Sequence, residues 1–424
     1  MFKNIFILTA SIFIYAYLGL HNFALILLSI ISTYLAARLL NSKRKKFILA
    51  ATIILNGGIL TAIRFLPQNV DLRIWISLGI SYYTLMVISY LVDVYRGKIE
   101  AERNLFKYTF YVMFIPHLFV GPISTYEEIK PQIDAKRKIT LNNFYNGSLR
   151  IAWGLLKIFV IARRASIIIA EISSSTDVYT GAYALLALFM YSILLYADFS
   201  GAIDIVLGIS KIFGYNLIEN FNAPYLSQNI KEFWRRWHIS LGRWLKNYIY
   251  IPLGGSRKGA FCKIIAVSVA FIVSGIWHGV SFLLWGILHG LFVLLGNKYS
   301  TKFKWLNRAI TFIIVSFLWS FFIWQGDTLL ALRMTGTIFT NFNWQNAAAN
   351  ILNLGLSLYD WIVLAIFSVI LFTFDAKKAT AVSKIKQKSP EFKTALLCTV
   401  ILLIIVFGIY GLGFNAADFI YGNF

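Results

Sequence analysis

Long apolar stretches separated by short polar or basic loops run along the whole chain. Each is close to the roughly 20 residues that an α-helix needs to cross the hydrocarbon core of a bilayer. We predict helices at about residues 4–20, 22–41, 47–66, 73–95, 105–121, 143–172, 180–212, 262–277, 281–297, 308–325, 358–375 and 394–413. The pattern lacks the short alternating strands of a membrane barrel, so it predicts an all-α polytopic membrane protein with about 11 transmembrane helices.

The chain shows no internal repeat, low-complexity tract or linker that would divide it. We therefore predict one membrane domain over residues 1–424, with N-terminal spans at 1–115, a central core at 116–297 and C-terminal spans at 298–424. Residues 1–20 lack the small-x-small cleavage site of a signal peptide, so we expect them to form a first helix that is retained.

Basic residues cluster in loops between the apolar stretches. Four such loops lie at residues 43–46, 96–107, 298–308 and 377–388. Alternating spans place all four on one side, and an excess of Lys and Arg is typical of cytoplasmic loops. Loops of the opposite side, such as residues 341–353, are poor in Lys and Arg. The pattern predicts a cytoplasmic N-terminus and an external C-terminus.

Composition narrows the class of protein further. Hydrophobic residues make up 58% of the chain, charged residues 14%, and the formal net charge is +22. The charge lies in loops between spans, so we expect no nucleic-acid partner. Part of it suits an anionic lipid surface or an anionic ligand. Cys262 and Cys398 lie far apart and indicate neither a disulfide framework nor a metal site.

The segment Pro224–Gly259 mixes aromatic and basic residues. A helix over Glu232–Tyr248 would gather Trp234, Trp237, Leu241, Trp244 and Tyr248 in one arc and place Arg235, Arg236, Arg243 and Lys246 on the far side. This predicts an interfacial amphipathic helix with its aromatic residues toward the bilayer. The alternative is a site for a phosphorylated cofactor such as coenzyme A, because arginine binds phosphate bidentately and the loop Leu253–Lys258 adds glycines and two cations.

Several histidines lie in or beside apolar stretches. His278, within SGIWHG, is a candidate site residue because an ionisable group in hydrocarbon is expensive. A neutral imidazole suits a general base, and the alternative is a packing histidine. His238, at the border of the aromatic arc, either reaches inward or bonds to backbone at the interface. We predict structural or supporting roles for His289 and for His117, which lies in a kinked or re-entrant element.

Two carboxylates, Asp198 and Asp204, lie in YADFSGAID inside an apolar helix. Buried carboxylates need partners, so we expect structural pairing, either at a broken helix or with the aromatic-basic segment. The sequence contains no Walker loop, GxSxG elbow or HExxH motif. No ligand spacing argues for a metal site.

Three stretches together resemble the membrane-bound O-acyltransferase (MBOAT) family. They are YADFSGAIDIVLGISKIFGY, ENFNAPYLSQNIKEFWRRWHISLGRWLKNYIYIPLGGSRKG and SGIWHGVSFLLWGILHGL, and the upstream VGPISTYEEI also fits. The motifs cover about residues 191–297, while the first 100 and last 120 residues match as a pattern of spans. The branch that the chain is most similar to is the bacterial alginate O-acetyltransferase type, which modifies exported polysaccharides.

The resemblance implies a ring of helices around a central tunnel, in the cytoplasmic membrane of a bacterium. His278 takes the place of the family's active-site histidine and His238 that of its second functional position. The donor would be held by Arg235, Arg236, Arg243, Lys246, Trp234 and Trp237. One departure is Ala202-Ile203-Asp204, where relatives often have Tyr-Ser-Asp, and it leaves the details of the substrate open.

The implied function is O-acetylation of a cell-surface polysaccharide with acetyl-CoA as donor substrate and no resident cofactor. The family often works with an extracytoplasmic SGNH or esterase-like partner protein that completes the transfer. The related D-alanyl branch, which uses a carrier protein and acts on teichoic acid, lacks the YIPLGG pattern, which favours acetyl. A proton-coupled transporter or flippase and a non-catalytic scaffold are the alternatives from other classes.

Overall fold

The computed structural model describes residues 2–17, 19–65, 79–117, 120–135, 138–296 and 301–410, and these residues form helices and turns without a strand. Its α-helices, in chain order, are α1 Phe2–Tyr17, α2 Leu20–Leu39, α3 Lys45–Phe65, α4 Ile80–Tyr95, α5 Leu105–Met113, α6 Tyr126–Asp134, α7 Leu141–Leu156, α8 Arg163–Ser174, α9 Ala182–Ile212, α10 Ile230–Arg236, α11 Ile239–Leu245, α12 Gly259–His278, α13 Leu283–Leu295, α14 Lys304–Leu318, α15 Ser320–Ile323, α16 Thr328–Thr340, α17 Trp344–Ala349, α18 Leu358–Ala376, α19 Lys378–Lys386 and α20 Pro390–Phe407. The π-helical segment Lys157–Ala162 joins α7 to α8, and a second one, Lys246–Tyr250, continues α11.

The helices confirm the predicted all-α membrane fold. Seven helices of the described part are long and apolar enough to cross a membrane, and three shorter apolar helices include α1 and α4. The predicted span at 73–95 begins outside the described residues and is seen from Ile80 onward. The number of about 11 spans and the central tunnel stay predictions.

Contacts near α6 bring the N-terminus and one basic cluster to the same end of the helical bundle. The Asn4 amide donates to the Ile133 carbonyl at 3.2 Å, and Lys107 forms an ion pair with Asp134 at 2.6 Å. We call this end the basic end. The prediction placed these parts of the chain on one side, and the contacts agree with that placement. The side of the membrane that they face stays a prediction.

The longest helix, α9, packs against α7 through glycines. A Cβ on Gly154 would lie 2.5 Å from the Gly201 carbonyl oxygen, and one on Gly208 would lie 2.6 Å from the Gly147 carbonyl oxygen. These separations are too short for any side chain. Small residues let helix backbones approach closely, which is a common way for membrane helices to associate.

The carboxylate of Asp204 on α9 is paired, as predicted, but its partners differ from those considered. Lys157 donates to it at 2.7 Å and Arg150 at 2.9 Å, and Lys157 also donates to Ser200 at 3.0 Å. The helix α9 continues unbroken through this region, and the aromatic-basic segment does not supply the partner. The buried charges are therefore balanced between α7, the π-helical segment and α9, and removal of one partner would leave an uncompensated buried charge.

Candidate active site

The aromatic-basic segment does not form the single helix predicted over Glu232–Tyr248. The chain leaves α10 at Arg236 and starts α11 at Ile239, and between them His238 adopts a left-handed conformation with φ of 43°. A residue with a Cβ adopts this conformation at some cost in energy, so the surrounding structure must hold it there.

Aromatic side chains of this segment face the protein interior and not the bilayer. Trp237 and Leu241 are each 2% exposed, and Trp244 is 8% exposed. The Trp237 ring packs 5.0 Å from Phe221 and 5.3 Å from Trp319, between ring centroids. The predicted orientation toward the bilayer is wrong for these residues, because the break at His238 turns the chain into the bundle.

The segment runs alongside α4 from the basic end inward. Two side chains of the segment donate hydrogen bonds to α4, Tyr248 to the Asp93 carboxylate at 2.9 Å and Trp244 to the Leu85 carbonyl at 2.8 Å. Farther along α4, Trp277 of α12 donates to the Ser81 carbonyl at 3.3 Å. Twelve residues of helix separate the first contact from the last, which is about 18 Å along the axis. The segment is therefore re-entrant, and its inner end lies beside Trp277.

His238 and His278 both pack against the Trp277 ring. The centroids of the imidazole and indole rings lie 6.2 Å apart for His238 and 4.7 Å apart for His278. The two imidazoles are 2% and 7% exposed, and Phe199 lies edge-on to His238 at 5.0 Å. The structure thus brings together the two histidines that the sequence singled out as catalytic.

His278 is the last residue of α12 and follows Trp277, whose contact with Ser81 lies about 18 Å along α4 from the contact of Tyr248 with Asp93. The helix has 20 residues, or about 30 Å of rise. The imidazole lies 5.3 Å from Trp285 and 5.4 Å from Phe322, between ring centroids. The next turn is exposed, since Val280 is 42% accessible. His278 is consequently enclosed by aromatic rings, one turn below a surface far from the basic end.

His289 also packs against Trp285, which is one of the rings around His278. Its Nδ1 accepts a hydrogen bond from the Trp234 indole N–H at 3.1 Å, and its ring centroid lies 4.9 Å from that of Trp285. The side chain is fully buried. His289 therefore shares the neighbour Trp285 with His278. His117 lies in a short 3-10 turn after α5, and its side chain is outside the described residues.

Arg243 is bound within the protein by Glu128 of α6. One guanidinium nitrogen donates to the carboxylate at 2.8 Å and a second also contacts it. Burial raises the pKa of the Glu128 carboxyl, but the hydrogen bonds from Arg243 and from the Thr125 backbone outweigh it and hold the pKa below its ordinary value. The ion pair fastens the re-entrant segment to α6.

The other predicted donor-binding residues differ in their surroundings. Arg236 forms an ion pair with Glu232 at 2.6 Å, whereas Arg235 and Lys246 are exposed. Trp234 is half-buried and bonded to His289, as described above, and Trp237 lies in the core. Contact with a donor stays a prediction for all six residues, and the exposed cations are the best placed to meet one from solution.

Sequence reasoning missed Glu128 and Asn220 as parts of this site. The first had a signal, since Thr125 and Glu128 form a capping box at the start of α6. Asn220, which accepts hydrogen bonds from the Ile239 and Ser240 backbone N–H groups next to His238, had none, because an asparagine before a proline-containing loop is an ordinary turn residue. Among the described residues, no group of three or more His, Cys, Asp or Glu side chains is arranged to hold a metal ion.

Comparison with known proteins agrees with the motifs. The sequence model of the MBOAT, membrane-bound O-acyltransferase, family matches residues 101–334. The chain is 34% identical over 286 residues to the probable alginate O-acetylase AlgI of Pseudomonas putida, covering 66% of this chain and 58% of that protein. It is 32% identical over 381 residues to the peptidoglycan O-acetyltransferase of Helicobacter pylori, covering 76% of this chain and 71% of that protein.

A third relative belongs to another branch. The chain is 30% identical over 274 residues to the teichoic acid D-alanyltransferase of Bacillus subtilis, covering 59% of this chain and 68% of that protein. The chain spans less than two thirds of the length of the Pseudomonas putida relative. The similarity therefore extends to relatives named for acetyl transfer and to one named for D-alanyl transfer.

Proposed function

This chain belongs to the membrane-bound O-acyltransferase family, and we propose that it moves an acetyl group from cytoplasmic acetyl-CoA to O-acetylate an exported cell-surface polysaccharide. One observation carries the proposal. Two buried histidines, His238 and His278, pack on Trp277 at the inner end of the re-entrant segment. Membership of an acyltransferase family also argues against the transporter and scaffold alternatives.

The chemistry assigned to His278 is general-base catalysis. The neutral imidazole takes the proton of an acceptor hydroxyl while its oxygen attacks the thioester carbonyl. The new ester C–O bond forms, the C–S bond breaks, and the departing thiolate receives the proton from the imidazolium. Proton transfer by a positioned side chain contributes about 100- to 10,000-fold in rate. A neutral base suits a pocket lined by aromatic rings, since burial there disfavours the charged form.

His238 is assigned a role in binding or orienting the donor. It packs against the same Trp277 ring as His278, at the inner end of the re-entrant segment. The exposed cations Arg235 and Lys246 suit the phosphates of coenzyme A. Holding donor and acceptor in one orientation adds to the rate, because it removes the entropic cost of their encounter.

The acceptor class follows from the relatives. An alginate O-acetylase and a peptidoglycan O-acetyltransferase are both named for carbohydrate polymers. The hydroxyl that reaches His278 belongs either to the polymer or to an extracytoplasmic esterase-like partner protein. We place the chain in the bacterial cytoplasmic membrane with its N-terminus and basic end in the cytoplasm, as the positive-inside pattern favours.

The experiment is a donor assay with the purified protein in nanodiscs. Acetyl-CoA labelled in its acetyl group is incubated with wild type, His278→Ala and His21→Ala, and loss of label from the thioester is followed. His278→Ala should reduce turnover by about 100-fold or more. His21, in the first turn of α2, provides a control histidine whose replacement should leave turnover unchanged. Full activity of His278→Ala would overturn the assignment.

The similarity to a D-alanyltransferase motivates a second arm of the same assay. Here the donor is D-alanine held as a thioester on an acidic carrier protein. Acetyl-CoA turnover without D-alanyl turnover supports the proposal. The reverse result would assign the chain to D-alanyl transfer from a carrier.

A further inference from the structure

Three buried polar side chains at the inner end of the re-entrant segment have unused hydrogen-bonding atoms. Asn220 and Ser240 are fully buried and His238 is 2% exposed. Within the described part of the chain, no hydrogen-bond partner contacts either ring nitrogen of His238, the Ser240 hydroxyl or the Asn220 side-chain nitrogen. Buried polar atoms are normally paired, so such a concentration around one turn requires an explanation.

The three side chains form one constellation. The backbone N–H of Ile239 donates to the Asn220 carbonyl, and that of Ser240 donates to the Asn220 side-chain oxygen, both at 3.0 Å. The second bond fixes the orientation of the amide, since an N–H donor must face oxygen. The Asn220 side-chain nitrogen is therefore an unused donor held against the turn that carries His238.

The fold of the turn does not require the unused atoms. The left-handed turn at His238 is already fixed by the bonds that the Ile239 and Ser240 backbone N–H groups donate to Asn220. The Ser240 hydroxyl and the imidazole nitrogens add nothing to those bonds. An apolar side chain of similar volume would fill the same space without leaving polar atoms unpaired.

The constellation also lies close to His278. His238 contacts Trp277, and Trp277 contacts His278, so the two imidazole centroids are at most about 11 Å apart. When the thioester of a donor lies at His278, the part of the donor within this distance is the arm that precedes the thioester and not the nucleotide.

We propose that Asn220, His238 and Ser240 form a subsite that binds the amide groups of a pantetheine arm. The inference rests on the proposed function. The arm is common to coenzyme A and to acyl carrier proteins, and each of its amides offers one carbonyl acceptor and one N–H donor. The Asn220 amide nitrogen donates to such a carbonyl, a neutral His238 nitrogen accepts from the N–H, and the Ser240 hydroxyl serves either atom.

Two substitutions test the subsite. Ser240→Ala disturbs the fold least, because it removes only the hydroxyl and keeps the backbone N–H that bonds to Asn220. Asn220→Asp keeps the oxygen that accepts this bond and removes the amide donor, but it buries a carboxyl group, so thermal unfolding must first show that this variant is folded. Ser210→Ala is the matched control, because Ser210 is equally buried but its hydroxyl donates to the Val206 carbonyl of its own helix at 2.8 Å.

Steady-state turnover is measured with acetyl-CoA, with S-acetyl-pantetheine and with a carrier-bound thioester. Both test variants should raise KM about three- to tenfold for every donor that the wild type uses, with kcat changed less, as expected for the loss of one hydrogen bond. Ser210→Ala should leave KM unchanged. The wild-type preference among the three donors distinguishes coenzyme A from a carrier protein as the source of the arm.

The outcomes that would contradict the subsite can be distinguished from those that would contradict the proposed function. Unchanged KM in both test variants, in a wild type that turns over acetyl-CoA, would overturn the subsite and leave the proposed function standing. A rise for acetyl-CoA without a rise for S-acetyl-pantetheine would assign the contacts to the nucleotide and also overturn the subsite. A wild type that uses none of the three donors would overturn both the subsite and the proposed function.

Discussion

Arg243 and Glu128 form the contact that connects the re-entrant segment to its neighbouring helix. Both side chains are 30% exposed, so water weakens their attraction. The pair nevertheless has bidentate geometry, and Glu128 also accepts from the Thr125 backbone. A carboxylate with these bonds stabilises the folded state more when it is ionised than when it is protonated.

Replacing Glu128 with Gln should lower the free energy of unfolding by about 1–2 kcal/mol at neutral pH. The pKa of Glu128 is lowered in the folded protein, so its stabilising effect is fully present above the ordinary glutamate pKa. It is lost as the pH falls through the lowered pKa. Thermal unfolding in detergent at several pH values should therefore show a difference between wild type and Glu128→Gln that disappears in acid.

Glu127→Gln is the control for this prediction. Glu127 pairs with Lys98 at 2.5 Å, but both side chains are about half exposed, so its loss should change stability little at any pH. An equal effect of both substitutions, or a difference from wild type that persists undiminished in acid, would contradict the account of the Arg243 pair.

The residues of the site were partly predictable. His278 and His238 were identifiable because ionisable groups in apolar surroundings point to sites and because their motifs are specific. Their common contact with Trp277 was not predictable, since it depends on the left-handed turn at His238 and on the entry of the segment into the bundle. The helical arrangement that placed Trp237 toward the bilayer assumed one continuous helix without that turn.

At the scale of elements, α7 and α9 approach each other closely because four glycines face one another across the contact. This contact also places Arg150 and Lys157 beside Asp204. The charges and the close packing depend on each other, because a larger separation would leave a buried carboxylate without partners.

Gly154→Ala should lower the free energy of unfolding by about 1–3 kcal/mol, the usual cost of an added methyl in a packed interior. The added Cβ would lie 2.5 Å from the Gly201 carbonyl oxygen. Gly58→Ala on α3 is the matched control, since no heavy atom lies within 4 Å of a Cβ there. Denaturant unfolding of both variants in the same detergent checks the prediction, and equal stability of the two would count against it.

Long helices were predictable and short ones were not. The predicted helix at 143–172 corresponds to α7, the π-helical segment and α8, because a long apolar period leaves little ambiguity. Short helices such as α6, α16 and α17 lack such a run and were missed. Their formation depends on caps and on packing against the long helices.

At the scale of the whole molecule, the basic end and His278 lie at different depths. The re-entrant segment leads inward from the basic end along α4, and His278 lies at the far end of α12. Only part of this arrangement was predictable. The charge pattern of the loops predicted the basic end. The depth of the histidines depended on a segment whose sequence predicted an interfacial helix.

The central claim is that an acetyl group passes, at His278, from a thioester that enters from the basic end to a hydroxyl that enters from the opposite end. Sealed inverted membrane vesicles test it directly, with labelled acetyl-CoA added outside and the acceptor polymer and any partner protein enclosed. The account predicts label on the enclosed material, protected from an added esterase, with wild type and not with His278→Ala. Label that remains outside, or equal labelling with His278→Ala, would contradict it.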